Sequence, residues 1–395
     1  MINISEEKNC CGCGACSIAC PNDCITMTGG TLGHLFPNVD SSKCIDCGKC
    51  DSVCPMQTDI KQSATFLQKS YAAYAKDSQI LFSGSSGGIF GVFAKKIIQT
   101  DGAVYGAAFN GELKLGCALA RNAEELKPLY KSKYLQSDLT GRYEEIKKKL
   151  LNGENILFVS TPCQVAALKN YLVKDYSNLV TVDFFCHGVP SQEFFDRCIA
   201  EEEKLKNGLI TSYEFRTKKK HGSTPHNFTE KISKNGAETS EIGYYFESPF
   251  YAFFQTYINL RESCYNCRFA GRNRRSDITI GDFHEIERYI SGINRFKGVS
   301  TVVINTERGQ KLWENCIDDV TSIPIDLEQL ISDGVCFGTG TARPSKRDEF
   351  IADWIKMSTG ELISKWVAPH KYRKQKIYYS LPSAARKALK RIMGV

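Results

Sequence analysis

Twelve cysteines, one small-residue turn and a few charged side chains carry the chemistry that can be read from this chain. Cys10-x2-Cys13-x2-Cys16-x3-Cys20-Pro21 is followed 34 residues later by Cys44-x2-Cys47-x2-Cys50-x3-Cys54-Pro55, with the same spacing. Three thiolates two residues apart wrap one cuboidal cluster when the loop curls tightly. The fourth, just before a proline, is turned toward the other cluster. This assigns Cys10, Cys13, Cys16 and Cys54 to one 4Fe–4S centre, and Cys44, Cys47, Cys50 and Cys20 to a second. Zinc needs only two C-x2-C pairs, so the third thiol of each run argues against it. A disulfide framework suits a small secreted protein, and the polar stretch up to Asn9 lacks the apolar segment of an export signal. The two runs read as a two-cluster ferredoxin module, which moves electrons one at a time.

Four more cysteines stand where an α/β scaffold puts chemistry. Cys163 and Cys186 follow the carboxyl ends of two apolar strands, Ile156–Val159 and Leu179–Phe185, and Cys264-x2-Cys267 follows a helix. Spacing alone leaves three readings open: small core residues, a zinc site, or a third cluster. Cys11, Cys24, Cys117, Cys198, Cys316 and Cys336 have no partner spacing and are read as packing or turn cysteines.

The turn Ser83-Gly-Ser-Ser-Gly-Gly88 precedes a helix. Small residues there let backbone N–H groups approach a pyrophosphate at the positive helix end. It matches neither the Rossmann nor the Walker pattern, so a plain connector is the competing reading. In Arg268–Arg275, Arg272 and Arg274 are candidates to clamp an anionic cosubstrate, against a solvated basic loop. His187 and His284 have no spaced metal partners and are read as structural.

The elements that must position these groups follow from periodicity. Residues 1–60 form the ferredoxin module, and 61–69 read as a polar linker. Tyr71–Ala75 and Ala103–Phe109 read as strands flanking an amphipathic helix, Ile89–Gln99. Two strand–loop–helix units in succession, Ile156 to Tyr171 and Leu179 to Lys206, imply a parallel α/β core. β-Rich sequence follows in Ser212–Lys218 and Asn227–Lys234, then a helix near Phe250–Leu260, strands at Asp277–Gly281 and Val299–Asn305, and mostly helical sequence from Arg308. The fold class is thus α+β/α/β: a 2×(4Fe–4S) ferredoxin-like domain, then an α/β core with a β-rich insertion and a helical C-terminus. The expected domains are 1–60, 70–160 and 161–345 (the two parts of the core), and 346–395, a helical region with a basic tail.

The formal charge of +7 belongs to that tail. Nine basic and no acidic residues follow Glu361, leaving about −2 for the rest. Nucleic acid is therefore not an expected partner, because no aromatic-basic recognition surface accompanies the charge. No apolar stretch reaches the roughly 18 residues of a membrane span. The eighteen cysteines suit a reducing compartment, so a cytoplasmic location is expected. Ser380–Met393 reads as a basic amphipathic helix compatible with peripheral contact to the inner membrane face, or as a solubilising tail.

Along nearly its whole length the chain resembles the coenzyme F420 hydrogenase/dehydrogenase beta-subunit family. The resemblance rests on Ser83–Gly88, Ser132-Lys-Tyr134, Ser160-Thr-Pro-Cys-Gln164, Cys186-His-Gly188, Cys264-x2-Cys267 and Ser276-Asp-Ile-Thr-Ile-Gly-Asp282. It implies an FAD-binding α/β core with 4Fe–4S clusters, and makes Cys163, Cys186, Cys264 and Cys267 ligands of a third cluster. It further implies flavin contacts from Ser83, Ser85, Ser86, Gly87, Gly88, Lys133, Tyr134 and Thr161, with Lys133 and Asp282 as catalytic candidates. Lys133 would neutralise a phosphate or tune the ring; a solvated lysine and a capping aspartate are the plain alternatives. The expected activity is an oxidoreductase wire: electrons from a ferredoxin or reduced carrier pass through the clusters to FAD, which exchanges hydride with a substrate. That substrate is a small molecule, the deazaflavin coenzyme or, if the tail meets a membrane, a lipid-linked glycan. An electron-carrying component that serves a separate catalytic partner is the alternative.

Overall fold

Short apolar runs with every second residue on the same face build the frame that carries the cysteines. The computed structural model of the protein describes residues 6–59, 66–218, 226–291, 293, 298–368 and 372–381. Near the N-terminus, β1 (Ile25–Gly29) and β2 (Leu35–Val39) form an antiparallel hairpin, flanked by short helices Ala15–Ile18 and Lys49–Val53. Next along the chain come β3 (Lys69–Ala75), β4 (Ala103–Phe109), β5 (Leu115–Ala120), β6 (Ile156–Val159), β7 (Leu179–Phe184) and β8 (Leu209–Phe215). The remainder are β9 (Asn227–Lys234), β10 (Ala237–Tyr244), β11 (Ile278–Asp282), β12 (Ser300–Ile304) and β13 (Val320–Ile325).

Eight of these make one mixed sheet in the order β13–β3–β12–β11–β7–β6–β4–β5. The parallel core expected from the two strand–helix units exists only at its centre, β4–β6–β7–β11. The neighbours pair antiparallel because their connections differ. β5 returns from β4 through a tight Asn110–Lys114 turn, in which Asn110 Oδ1 accepts from the Glu112 and Lys114 amides. A crossover helix would have been needed to keep it parallel.

Side chains alternate cleanly across the sheet. Val104 and Leu157 face a core with Val92, Phe93 and Trp313. Ala103, Tyr105, Ile156 and Phe158 face the opposite core, shared with the helices Arg142–Leu151 and Pro162–Leu172. Ala15 and Val53 of the cysteine module join that second core, so the module packs on the sheet through helices rather than on the strands directly.

Two strands had little signal in the sequence. β13 lies in the stretch expected to be helical, and its Pro324 is tolerated because β13 is a sheet edge, where no amide is needed on the outer side. β10 is polar and largely exposed; it forms because Asn235 and Gly236, both at positive φ, close a hairpin onto β9. With β8 these two strands form a separate three-stranded sheet. All but the first two residues of the basic segment Ser380–Met393 lie outside the described residues. Among the described residues no helix is long and apolar enough to cross a membrane.

Trp313 is fully buried, 4.9 Å from the ring of Tyr71 and edge-on to Phe93. Trp313→Ala should cost about 3–5 kcal/mol of stability by leaving an unfilled cavity. Trp313→Phe should cost clearly less, and thermal melting of the two variants beside the parent checks the order.

Candidate functional site

Glycines set the curl of both cysteine loops. Gly12, Gly14 and Gly48 take φ of 65°, 74° and 70°, a region where a side chain is strained. The curled loops put Cys10, Cys13, Cys16 and Cys54 around one cavity. Cys20, Cys44, Cys47 and Cys50 surround a second. Each set mixes the two runs in the way the Cys-Pro spacing demands. Cys11 and Cys24, read from sequence as packing cysteines, line the first and second cavity respectively. Cys117, Cys198, Cys316 and Cys336 are buried in the cores.

The two cavities differ in exposure. Cys47 of the second is exposed, whereas Cys10, Cys16 and Cys54 of the first are buried. Burial pushes the Cys16 thiol up to about 12 and also raises Cys10 and Cys54. Cys24, whose Sγ lies 3.3 Å from that of Cys20, is pushed up to about 12 chiefly by that hydrogen bond.

The carboxyl ends of β6, β7 and β11 point to one edge of the sheet, as their parallel pairing requires. Cys163 sits in the first turn of the helix after β6, and Cys186 two residues beyond β7. The Cys186 thiol faces Cys264, Cys163 and Cys267; burial first, then these neighbours, holds its pKa well above the ordinary thiol value. Burial likewise pushes Cys264 to about 12 and Cys267 to about 11. Gly188 packs against Cys264, since a Cβ there would fall 2.9 Å from the Cys264 Cβ. One local motif recurs at three of these thiols. Gly12 N–H donates to Cys10 Sγ (3.3 Å), Asp46 N–H to Cys44 Sγ (3.4 Å) and Gly188 N–H to Cys186 Sγ (3.4 Å). Among the described residues no three His, Cys, Asp or Glu side chains converge on a single metal ion; a cuboidal cluster instead spreads four thiolates over several irons.

The first cavity and this third group of cysteines are neighbours. The Cys11 thiol hydrogen-bonds those of Cys13 and Cys163, and Cys11 and Cys163 both titrate well above the ordinary range. Gln136 Nε2 donates to the carbonyls of Cys11 (2.9 Å) and Gly12 (2.7 Å). Arg261 donates to Gln136 Oε1 and to the carbonyls of Cys10 and Leu35. Its own carbonyl accepts from the Cys264 amide. Neither Gln136 nor Arg261 stood out from sequence spacing.

The Ser/Gly turn follows β3 at the same sheet edge. Gly87 fits only as glycine, because a Cβ would lie 2.4 Å from the Ala73 carbonyl oxygen. Ser86 Oγ donates to Val299 O, Gly87 N–H to Ser300 Oγ, and the Ser132 N–H to Ser85 Oγ. Arg216 and Lys218, which no spacing pattern marks in the sequence, close the group. Arg216 donates to Asp282 Oδ2 (2.6 Å), Tyr134 Oη (3.1 Å) and Ser85 O (3.3 Å), and Lys218 Nζ to Leu81 O and Ser86 O. Ser83, Ser85, Ser86, Gly87, Gly88, Tyr134 and Asp282 thus gather at one place.

Two residues point elsewhere. Thr161 bonds Cys163 Sγ and Gln164 Oε1, beside the third cysteine group. Lys133 donates to the carbonyls of Pro128, Tyr130 and Lys131. Burial pushes its ammonium down to about 7, while these three acceptors favour the charged form. The Arg268–Arg275 segment makes no clamp. Arg274 is buried on Asp183, Arg272 pairs with Glu328, and Arg268 donates to Met56 O.

Residues 9–58 match the model of the 4Fe-4S dicluster domain. Residues 153–326 match that of the C-terminal part of the coenzyme F420 hydrogenase/dehydrogenase beta subunit. Residues 153–326 thus carry a region like the C-terminal part of that beta subunit, and residues 9–58 a 4Fe–4S dicluster domain. The second match spans all four later cysteines together with Arg216 and Asp282; the Ser/Gly turn and Tyr134 fall between the two matched regions. The coenzyme F420-dependent sulfite reductase of Methanocaldococcus jannaschii is 25% identical over 331 residues, covering 78% of this chain. The chain spans 46% of that relative's length. A chain of the F420-reducing NiFe hydrogenase complex from Methanosarcina barkeri superposes with a TM-score of 0.43 at 16% identity, over 69% of this chain and 89% of that one.

Arg216 is buried, and Arg216 and Asp282 form the central ion pair of the small-residue site. Asp282 is held below the usual carboxylate range: burial opposes ionisation, but the Arg216 charge and hydrogen bond outweigh it. The pair's stabilisation is therefore present above the unfolded carboxyl pKa and lost as pH falls through the lower folded value. At neutral pH Asp282→Ala should cost about 3 kcal/mol by leaving Arg216 buried without a counter-charge. Adding Arg216→Met should return most of that loss, which melting curves of the single and double variants measure.

Proposed function

We propose that this chain is an iron–sulfur flavoprotein oxidoreductase. One observation carries the reading: Cys11 of the first cavity touches Cys163 of the third cysteine group, so a ferredoxin module is joined to a second redox-competent site. The donor chemistry fits. Cys10, Cys13, Cys16 and Cys54, then Cys20, Cys44, Cys47 and Cys50, would hold two 4Fe–4S clusters, and Cys163, Cys186, Cys264 and Cys267 a third.

The small-residue site fits a flavin. Buried Arg216 Nε and His226 Nδ1 have no hydrogen-bond partner among the described residues. Buried polar atoms left without partners are costly, so a polar ligand is the natural complement. Ser85, Ser86, Gly87 and Gly88 would approach the pyrophosphate of FAD, Arg216 would supply positive charge, and Asp282 and Tyr134 would hold Arg216 in place. When bound, the clusters supply single electrons and the flavin pairs them for hydride chemistry. Burial holds His226 down to about 4, so it stays neutral beside that site at physiological pH.

The relative that acts with coenzyme F420 makes a deazaflavin the first hydride partner to try. The chain's share of that relative leaves room for a further catalytic partner, and a redox protein docking at the exposed Cys47 loop would supply or take electrons. Iron and flavin analysis of the anaerobically prepared full chain tests the reading. About 12 irons with one FAD are expected. Cys163→Ala should bring iron to about 8 with flavin retained, and Arg216→Met should lose flavin with iron retained. About 12 irons without FAD would instead make the chain a pure electron carrier, and about 8 irons with FAD would remove the third cluster. Reduction of the deazaflavin coenzyme by the loaded protein separates that partner from other substrates.

A further inference from the structure

Arg261 is a buried cation with no carboxylate at ion-pair distance among the described residues. It is 1% exposed, and its described contacts are the Gln136 amide oxygen (3.0 Å), the carbonyls of Leu35 (2.9 Å) and Cys10 (3.4 Å), and the face of Phe36 at 4.7 Å. The nearest carboxylate in sequence, Glu262, is committed to Arg343 and Arg347. His34 stays neutral, because burial and then the charges of Arg261 and Arg347 hold its pKa well below the ordinary value. A guanidinium taken out of water without a counter-ion is costly. Two other arginines of this region are placed differently: Arg274 pairs with Asp183, and Arg272 pairs with Glu328 at the surface.

The missing counter-charge has two neighbours that would provide it. Arg261 reaches the Cys10 carbonyl on one side, and its own carbonyl accepts from the Cys264 amide on the other. A 4Fe–4S core ligated by four thiolates is an anion, and reduction adds one more negative charge to it.

We propose that Arg261 is a positioning residue for electrons: its single buried charge favours the reduced state of both the cluster held by Cys10, Cys13, Cys16 and Cys54 and that held by Cys163, Cys186, Cys264 and Cys267. This rests on the cluster assignment proposed above. The transfer it biases balances simply. One electron leaves the outer cluster of Cys20, Cys44, Cys47 and Cys50, which is oxidised by one unit, and one arrives at an inner cluster, with no bond made or broken. Cluster potentials respond to nearby charge, hydrogen bonds and exposure, and a charge acts more strongly in a dry interior than in water. The outer cluster, on the exposed loop, is the internal reference.

The test is an EPR-monitored redox titration of the anaerobic full chain, resolved cluster by cluster. Arg261→Gln should shift the two inner potentials to more negative values and leave the outer one in place, at unchanged iron content. Arg261→Lys, which keeps the charge but not the planar fork, should bring both back toward the parent values. Unchanged inner potentials in Arg261→Gln, or an equal shift of all three clusters, would overturn the proposal. If Arg261→Gln binds less iron, Arg261→Met, which fills similar space without charge, must lower the same two potentials at unchanged iron content; no shift there overturns it equally. Should the parent chain hold only the two N-terminal clusters, the third-site assignment fails, and Arg261 is judged on the inner ferredoxin potential alone.

Discussion

The clasp made by Gln136 and Arg261 on the Cys10–Cys13 loop is the contact on which the rest of the architecture depends. Gln136 holds the carbonyls of Cys11 and Gly12, and Arg261 holds those of Cys10 and Leu35. The loop can come this close because residue 12 has no side chain: a Cβ on Gly12 would fall 2.3 Å from Arg261 Nη2 and 2.7 Å from Gln136 Nε2. Gln136 is anchored in turn, its amide donating to Pro190 O, while the Arg261 amide donates to Val189 O. The clasp therefore ties the cysteine module to the segment that carries Cys186. Hydrogen bonds from Tyr143 Oη to Cys13 O and from Asn170 Nδ2 to Thr58 Oγ1 repeat the attachment from two helices of the core.

A second constraint is the burial of so many thiols. Cys16 and Cys264 titrate near 12, and Cys163 and Cys186 well above the ordinary range. Burial is the main cause at Cys16, Cys186 and Cys264, whereas at Cys163 the Cys11 hydrogen bond comes first and burial second. Thiolates become stable in such surroundings when a cation replaces the proton. The same folding therefore makes these thiols poor nucleophiles while they keep their protons. The N–H donors at Cys10, Cys44 and Cys186 add a common device, since hydrogen bonds to sulfur stabilise its negative charge.

Sequence made the cysteine pairing across the two runs legible because C-x2-C-x2-C-x3-C-P encodes a local loop, and local loops fold the same way in each repeat. It also marked Cys163 and Cys186 as strand-exit residues, since β6 and β7 are short buried apolar runs. What it did not mark are residues whose role exists only through long-range packing. Arg216 lies at the end of β8, at a positive φ of 59°, and meets Asp282 across 66 residues of chain. Arg261 meets Cys10 across 251. Neither belongs to a spacing pattern, and each looks like an ordinary surface arginine in a string of letters. Cys11 is a related case: adjacent to Cys10, it has no register of its own, yet it makes the contact to Cys163. β13 was hidden for a different reason, because its proline and polar neighbours are tolerated only at an edge.

The placement of the exposed and buried sites gives the molecule a direction. Cys47 stands exposed at one cavity, while Cys10, Cys16 and Cys54 of the next are buried and Met27 and Met56 line it with them. Beyond it the third cysteine group lies at the carboxyl edge of β6, β7 and β11, and the Ser/Gly turn and Asp282 lie along that same edge. A parallel sheet is suited to this arrangement because its strands end together, so groups far apart in sequence emerge side by side without special loops. The antiparallel additions β12 and β3 extend the edge rather than interrupt it, since β12 begins where β11 ends and β3 runs with β11. The cysteine module, the third cysteine group and the small-residue site thus need only one shared edge to be brought together.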